Sequence, residues 1–166
     1  HCALHDVPAR ATPERIRRVV DLTSQALRDL GIASPRIVIA ALDPHAGEGG
    51  IFGRHDIDIT RPIAEAYRAD GAQVEGPVPA DTVFVKLKAG WYDAVVAMYH
   101  DQGHGPVKVL GIEAGVNITV GLPVIRTSVD HGTAFDIAGK GIAEAGSMVE
   151  ALRQAAELAT STTVLN

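Results

Sequence analysis

Three histidines stand in settings where an imidazole can do chemistry. His45 lies in Asp43-Pro-His-Ala-Gly-Glu-Gly-Gly50 and His100 in Met98-Tyr-His-Asp-Gln-Gly103, each directly after an aliphatic run, and His1 opens the chain. Neutral imidazoles suit borderline divalent cations, and three protein ligands leave coordination positions for a substrate. The three are far apart in sequence, with no compact motif of the H-E-x-x-H kind joining them. The residues alone therefore also allow three separate loop histidines, each hydrogen-bonded locally.

A second group consists of cations and amides. Lys108, Asn117 and Arg126 recur at intervals of about nine residues beyond His100. A phosphate or carboxylate calls for a fixed cation, and arginine presents a bidentate fork. Arg126 interrupts an apolar run, and Asn117 sits in Val116-Asn-Ile-Thr119, where a buried amide needs a partner. Solvated surface positions account for Lys108 and Arg126 equally simply. Asp81 and Asp101 are candidate acid/base carboxylates. Asp101, beside His100, can orient an imidazole, and Asp81 can instead cap a helix. The segment Gly47-Glu-Gly-Gly-Ile-Phe-Gly53 has neither the Rossmann nor the P-loop glycine spacing. It reads as a backbone cradle for an anion or as a tight turn that positions His45.

The elements that must hold these residues alternate. Residues 12–30 read as an amphipathic helix, with Thr12 as cap, Pro13 in the first turn and Gly31 as stop. Residues 36–42 read as a buried strand, 61–70 as a helix, 76–81 as a proline-punctuated loop and 93–99 as a second strand. Residues 116–120 and 123–129 follow as strands, and 147–160 as a last helix. This alternation predicts an α/β fold. His45 and His100 then follow strand ends, where ligands bind in open α/β sheets.

Composition sets outer bounds. The chain has 166 residues, 46% hydrophobic and 4% aromatic, with a formal net charge of −5. That length suffices for a real core built from aliphatic side chains. No cluster of Lys and Arg marks a nucleic-acid binder, and no apolar run approaches membrane-spanning length. Cys2 is the only cysteine, so no internal disulfide forms, which fits a cytoplasmic location.

Taken together, Asp43–Gly50, Gly76-Pro-Val-Pro-Ala-Asp-Thr82, Met98–Gly103, Gly115-Val-Asn-Ile-Thr-Val-Gly-Leu-Pro123 and Arg126-Thr-Ser-Val-Asp-His-Gly-Thr-Ala134 resemble the 4-hydroxythreonine-4-phosphate dehydrogenase family, in order and over nearly the whole chain. The resemblance implies the C-terminal part of a three-layer fold like that of isocitrate and isopropylmalate dehydrogenases. Residues 1–130 would form a metal- and substrate-binding domain, and 131–166 a coenzyme loop with a helix returning to the other domain.

The same resemblance implies a divalent metal (zinc, magnesium, manganese or cobalt) on His1, His45 and His100, and substrate on Lys108, Asn117 and Arg126. Asp81, Asp101 and Lys108 fall in catalytic roles. His131, Gly132, Thr133, Ala134 and Asp136 resemble an adenine-side NAD loop. It further implies a homodimer with the active site near the interface, and an N-terminal region ahead of His1. The segments His104-Gly-Pro-Val-Lys108 and Phe135-Asp-Ile-Ala-Gly-Lys140 resemble a paralogous branch acting on threonate or erythronate 4-phosphate. The implied reaction is NAD-dependent oxidative decarboxylation of a phosphorylated four-carbon hydroxy acid. A metal-dependent lyase or aldolase without NAD, and a non-catalytic phosphate-binding fragment, are the alternatives.

Overall fold

The structure is a computed structural model that describes residues 1–111 and 115–162. It divides into two compact units, His1–Pro106 and Val107–Asn166. This is a division by compactness, whereas the boundary expected at 130/131 is a division by role.

The first unit is built on a parallel sheet of β1 (Ile37–Ala40), β2 (Val74–Val78) and β3 (Ala94–Val96), in the order β2-β1-β3. Central β1 is buried along its whole length because both faces are covered. Ile37 and Ile39 pack with Ile16 and Val20 of α2 (Pro13–Asp29) and with Ile63 and Ala64 of α3 (Arg61–Ala69). Val38 and Ala40 face the other way, toward Val83 of α4 (Ala80–Lys88) and Tyr92. The period of two along one strand thus sorts helices onto opposite faces. A short helical turn, α1 (Val7–Arg10), precedes α2.

Thr12 caps α2 as its sequence implies, its hydroxyl accepting from the Arg15 amide at 3.3 Å. Three elements differ from expectation. Residues 76–78 belong to β2 rather than to a loop. Its proline, Pro77, is tolerated because β2 is an edge strand, with one side free of ladder bonds. Residues 80–88 form α4, and Asp81 lies exposed in its first turn, two residues past the Pro79 cap position. Residues 100–111 form α5 (His100–Gly111). Pro106 within α5 lacks the amide that would bond the Gln102 carbonyl, and the two units divide immediately after it.

The second unit pairs β4 (Val116–Thr119) with β5 (Arg126–Val129) as an antiparallel ribbon backed by α6 (Gly146–Thr162). The Thr127 hydroxyl donates to the Ala151 carbonyl at 2.8 Å, tying ribbon to helix.

One ion pair fastens the base of the sheet. The Arg36 guanidinium forks onto Asp93 at 2.7 and 3.1 Å, and the Arg36 amide adds a bond at 2.8 Å. The side-chain bonds first, then the amide, hold the Asp93 carboxyl below its ordinary value. A carboxyl depressed by folding stabilises the native state above its unfolded value, about 3.9, and loses that contribution as pH falls through the folded value. Asp93→Asn should therefore lower the urea midpoint at neutral pH, and the gap to wild type should close below about pH 4. A gap independent of pH would show that the pair contributes nothing through its charge.

Candidate functional site

The loops after β1 and β3 leave the carboxyl ends of neighbouring parallel strands, with Ile39 opposite Val96. A buried glutamine stitches these ends together. Gln102 donates to the Ala41 carbonyl at 2.7 Å and accepts from the Met98 amide at 2.7 Å. Both bonds are satisfied in a buried setting, so Gln102 fixes how the two loops meet.

The loop after β1 is unusual. His45, Ala46, Gly47, Glu48 and Gly49 all have positive φ, at 53°, 55°, 80°, 39° and 69°. Only the glycines adopt this freely; the other three carry a cost of roughly 1–2 kcal/mol each. Such strain persists only where surroundings enforce it, and here three features do. Asp56, fully buried in the π-helical turn Asp56–Thr60, accepts from the Leu42 and Asp43 amides at 3.1 and 2.7 Å. The Asp43 carboxylate accepts from the His55 amide at 3.2 Å. Gly53 lies against Asp43 so closely that a Cβ there would meet the carboxylate at 2.4 Å. Of the two readings of this glycine segment, the turn that positions His45 is the one these bonds describe.

His1 and His100 meet. Their ring centroids are 4.8 Å apart at 42°, and both line a cavity of about 320 Å³ with Cys2, Arg10, Met98 and Asp101. The Asp101 carboxylate accepts from His100 Nδ1 at 2.6 Å. That bond puts the ring proton on Nδ1 and leaves Nε2 as the nitrogen with an open lone pair. His45 is exposed, paired with Glu48 at 3.2 Å and edge-on to Phe52 at 5.8 Å. Among the described residues no three His, Cys, Asp or Glu side chains converge on one point at metal-binding distance. What comes together is a pair of adjoining imidazoles, one of them oriented by a carboxylate, while His45 stays with Glu48 and Phe52 on the loop after β1.

In the second unit the nine-residue spacing acquires a physical meaning. Asn117 pairs with Ser128 and Thr119 with Arg126, so Asn117 and Arg126 lie on the same face of the ribbon, one diagonal apart. Both are exposed. Arg126 begins β5 rather than interrupting it, and its guanidinium donates to the Thr119 hydroxyl at 2.8 Å. The Lys108 ammonium donates to the Asp130 carbonyl at 2.7 Å and lies 3.4 Å from its carboxylate. His131, Gly132, Thr133 and Ala134 line an open groove of about 860 Å³, within the usual range for small-molecule sites. Asp136 sits in the adjoining single turn Phe135–Ile137.

Asp56 and Gln102 escaped the sequence reading. Each is a polar residue buried for the sake of backbone groups in a distant segment, and nothing local marks it. The stacking of His104 on His100 follows only from α5 being a helix, which sets the two residues four apart on one face.

The family described as pyridoxal phosphate biosynthetic protein PdxA matches residues 1–155. A D-threonate 4-phosphate dehydrogenase of Cupriavidus necator is 60% identical over 96% of this chain and 48% of its own length. A 4-hydroxythreonine-4-phosphate dehydrogenase of Caulobacter vibrioides is 54% identical over the same shares. The crystal structure of a 4-hydroxythreonine-4-phosphate dehydrogenase from Klebsiella pneumoniae superposes with a TM-score of 0.86 at 50% identity, covering 96% of this chain and 48% of that one. The chain thus spans about half the length of these relatives. Agreement at this identity, over nearly every described element, leaves one assignment: the chain belongs to the PdxA family.

Proposed function

We propose that this protein is an NAD-dependent, metal-requiring dehydrogenase that oxidises and decarboxylates a phosphorylated four-carbon hydroxy acid, with D-threonate 4-phosphate favoured over D-erythronate 4-phosphate and 4-hydroxythreonine 4-phosphate. The observation that carries the reading is the His1–His100 pair, with Asp101 on His100 Nδ1, at the strand ends of a PdxA-family chain. The preference for threonate rests on the 60% identity to the Cupriavidus enzyme of that name.

When bound by His1, His45 and His100, a divalent cation supplies Lewis acidity toward the substrate hydroxyl and the carbonyl that replaces it. NAD would supply the hydride acceptor, and His131, Gly132, Thr133, Ala134 and Asp136 would hold its adenine side. Asp101 keeps His100 in the tautomer that exposes Nε2. Lys108, Asn117 and Arg126 hold the anionic ends of the substrate; Arg126 offers a bidentate fork and Asn117 shares its face of the ribbon. Asp81 or Asp101 takes the hydroxyl proton as hydride leaves, and the resulting β-keto acid releases CO₂. Lys108 is the remaining candidate for returning a proton to carbon. A homodimer in the cytoplasm, and the isocitrate dehydrogenase-like three-layer arrangement, belong to the same proposal.

The test is a panel of the three phosphorylated acids, each with NAD and a divalent cation, using the full-length protein. Reduced nicotinamide should accumulate with D-threonate 4-phosphate and not after chelation. Cleavage of substrate without any reduced nicotinamide would instead establish a lyase. Phosphate-ester binding without turnover of any of the three would establish a binding protein.

A further inference from the structure

We propose that His104 is a positioning residue: its imidazole, stacked face-on against His100, fixes the plane of the ring whose Nε2 is presented to the cation. The inference rests on the metal reading above and adds a residue to it.

The two histidines are four apart on α5, so their side chains share one face of the helix. Helical side chains lean toward the N-terminus, which brings His104 back over the turn carrying His100. The rings lie 4.4 Å apart at 13°, close to parallel. His100 also meets His1, at 4.8 Å and 42°, a tilt that does not set a plane.

The need for such a support follows from the exposure of the ring. The His100 side chain is 47% accessible, so packing restrains it only in part. The torsion that turns an imidazole about its bond to Cβ has a broad minimum. The Asp101 bond anchors Nδ1 but leaves the ring free to swing about that anchor, because Asp101 is itself 89% accessible. A flat partner on one face removes that swing. The anchor then decides which nitrogen is presented, and the stack decides where it points. Holding a ligand ring before the ion arrives lowers the ordering entropy of binding.

The measurement is cobalt(II) affinity by chelator competition, together with the visible ligand-field spectrum, in the full-length protein. His104→Ala should weaken cobalt affinity about tenfold, the lower end for loss of an outer support of a metal ligand, and alter the visible band. His104→Phe keeps a flat ring without nitrogen and should restore affinity to within about twofold. If the alanine variant melts early, His104→Leu replaces it, filling similar volume without a planar face, and should behave as alanine is expected to. Unchanged affinity in the ring-less variant overturns the proposal. Failure of phenylalanine to rescue also overturns it, because the nitrogen rather than the plane would then matter. Absence of cobalt binding by the wild type removes the metal reading and this proposal together, whereas wild-type binding with an indifferent His104 removes only the latter.

Discussion

Replacement of His100 by alanine is expected to abolish metal-dependent NAD reduction in the full-length protein while leaving the fold intact. The side chain is half exposed and belongs to neither core cluster of the first unit. Truncation therefore opens no cavity, and the melting temperature should stay near wild type. What is removed is the ring that meets His1, takes the Asp101 bond and follows the end of β3. Loss of an outer partner of a metal ligand costs roughly 10–100-fold, and loss of the ligand itself must exceed that. A graded series makes the point sharper. Asp101→Asn keeps the ligand and weakens its orientation, so it should fall within the roughly 10–100-fold range, with His100→Ala well below it. The readouts are initial rates at saturating cation and cobalt content after dialysis. Near wild-type turnover in His100→Ala would rule out the metal role, and equal losses in the two variants would rule out the hierarchy.

The parts of the fold that local chemistry dictates were readable in advance. Helix α2 carries its cap, its first-turn proline and its terminal glycine in order, and α3 and α6 show the helical period. Strands β1 and β3 are aliphatic because they are covered on both faces or nearly so. What was missed has physical reasons. Pro77 and Pro79 signal a loop, yet Pro77 lies in an edge strand, which has a side where a missing amide costs nothing, and Pro79 caps α4. Gly103, Gly105 and Pro106 are poor helix formers, and α5 contains all three. Among the site residues, His1 and His100 meet, and the ribbon aligns Asn117 with Arg126, because neighbouring elements place them so. The residues that hold the site's backbone were not legible. Asp56 holds amides 13 and 14 positions away and Gln102 a carbonyl 61 positions away, and one sequence contains no trace of such a pairing.

Asp56→Ala is expected to lower the stability of the first unit by several kcal/mol, about 1–3 for each of two amides. The carboxylate is fully buried and is the acceptor for two backbone amides, those of Leu42 and Asp43, where β1 gives way to the left-handed turn. Alanine leaves both amides without that acceptor, at about 1–3 kcal/mol each, a large share of the roughly 5–15 kcal/mol that holds a domain together. The turn also stores strain at His45, Ala46 and Glu48, and strain of this kind relaxes once its clamp is gone. The loop should therefore lose its left-handed geometry before the sheet melts. Urea unfolding would read the first effect as a lower midpoint. Amide exchange confined to residues 42–53 at sub-denaturing urea would read the second. Asp56→Asn separates them further: its single carbonyl oxygen serves one amide, and its NH₂ group confronts the other, so it should recover only part of the loss. If alanine unfolds the whole unit at once, with no earlier opening of the loop, then Asp56 supports the sheet directly and the turn's conformation has another cause. If neither variant shifts the midpoint, the two amides are satisfied by water, and His45 is held by the glycine geometry at Gly47 and Gly53 alone.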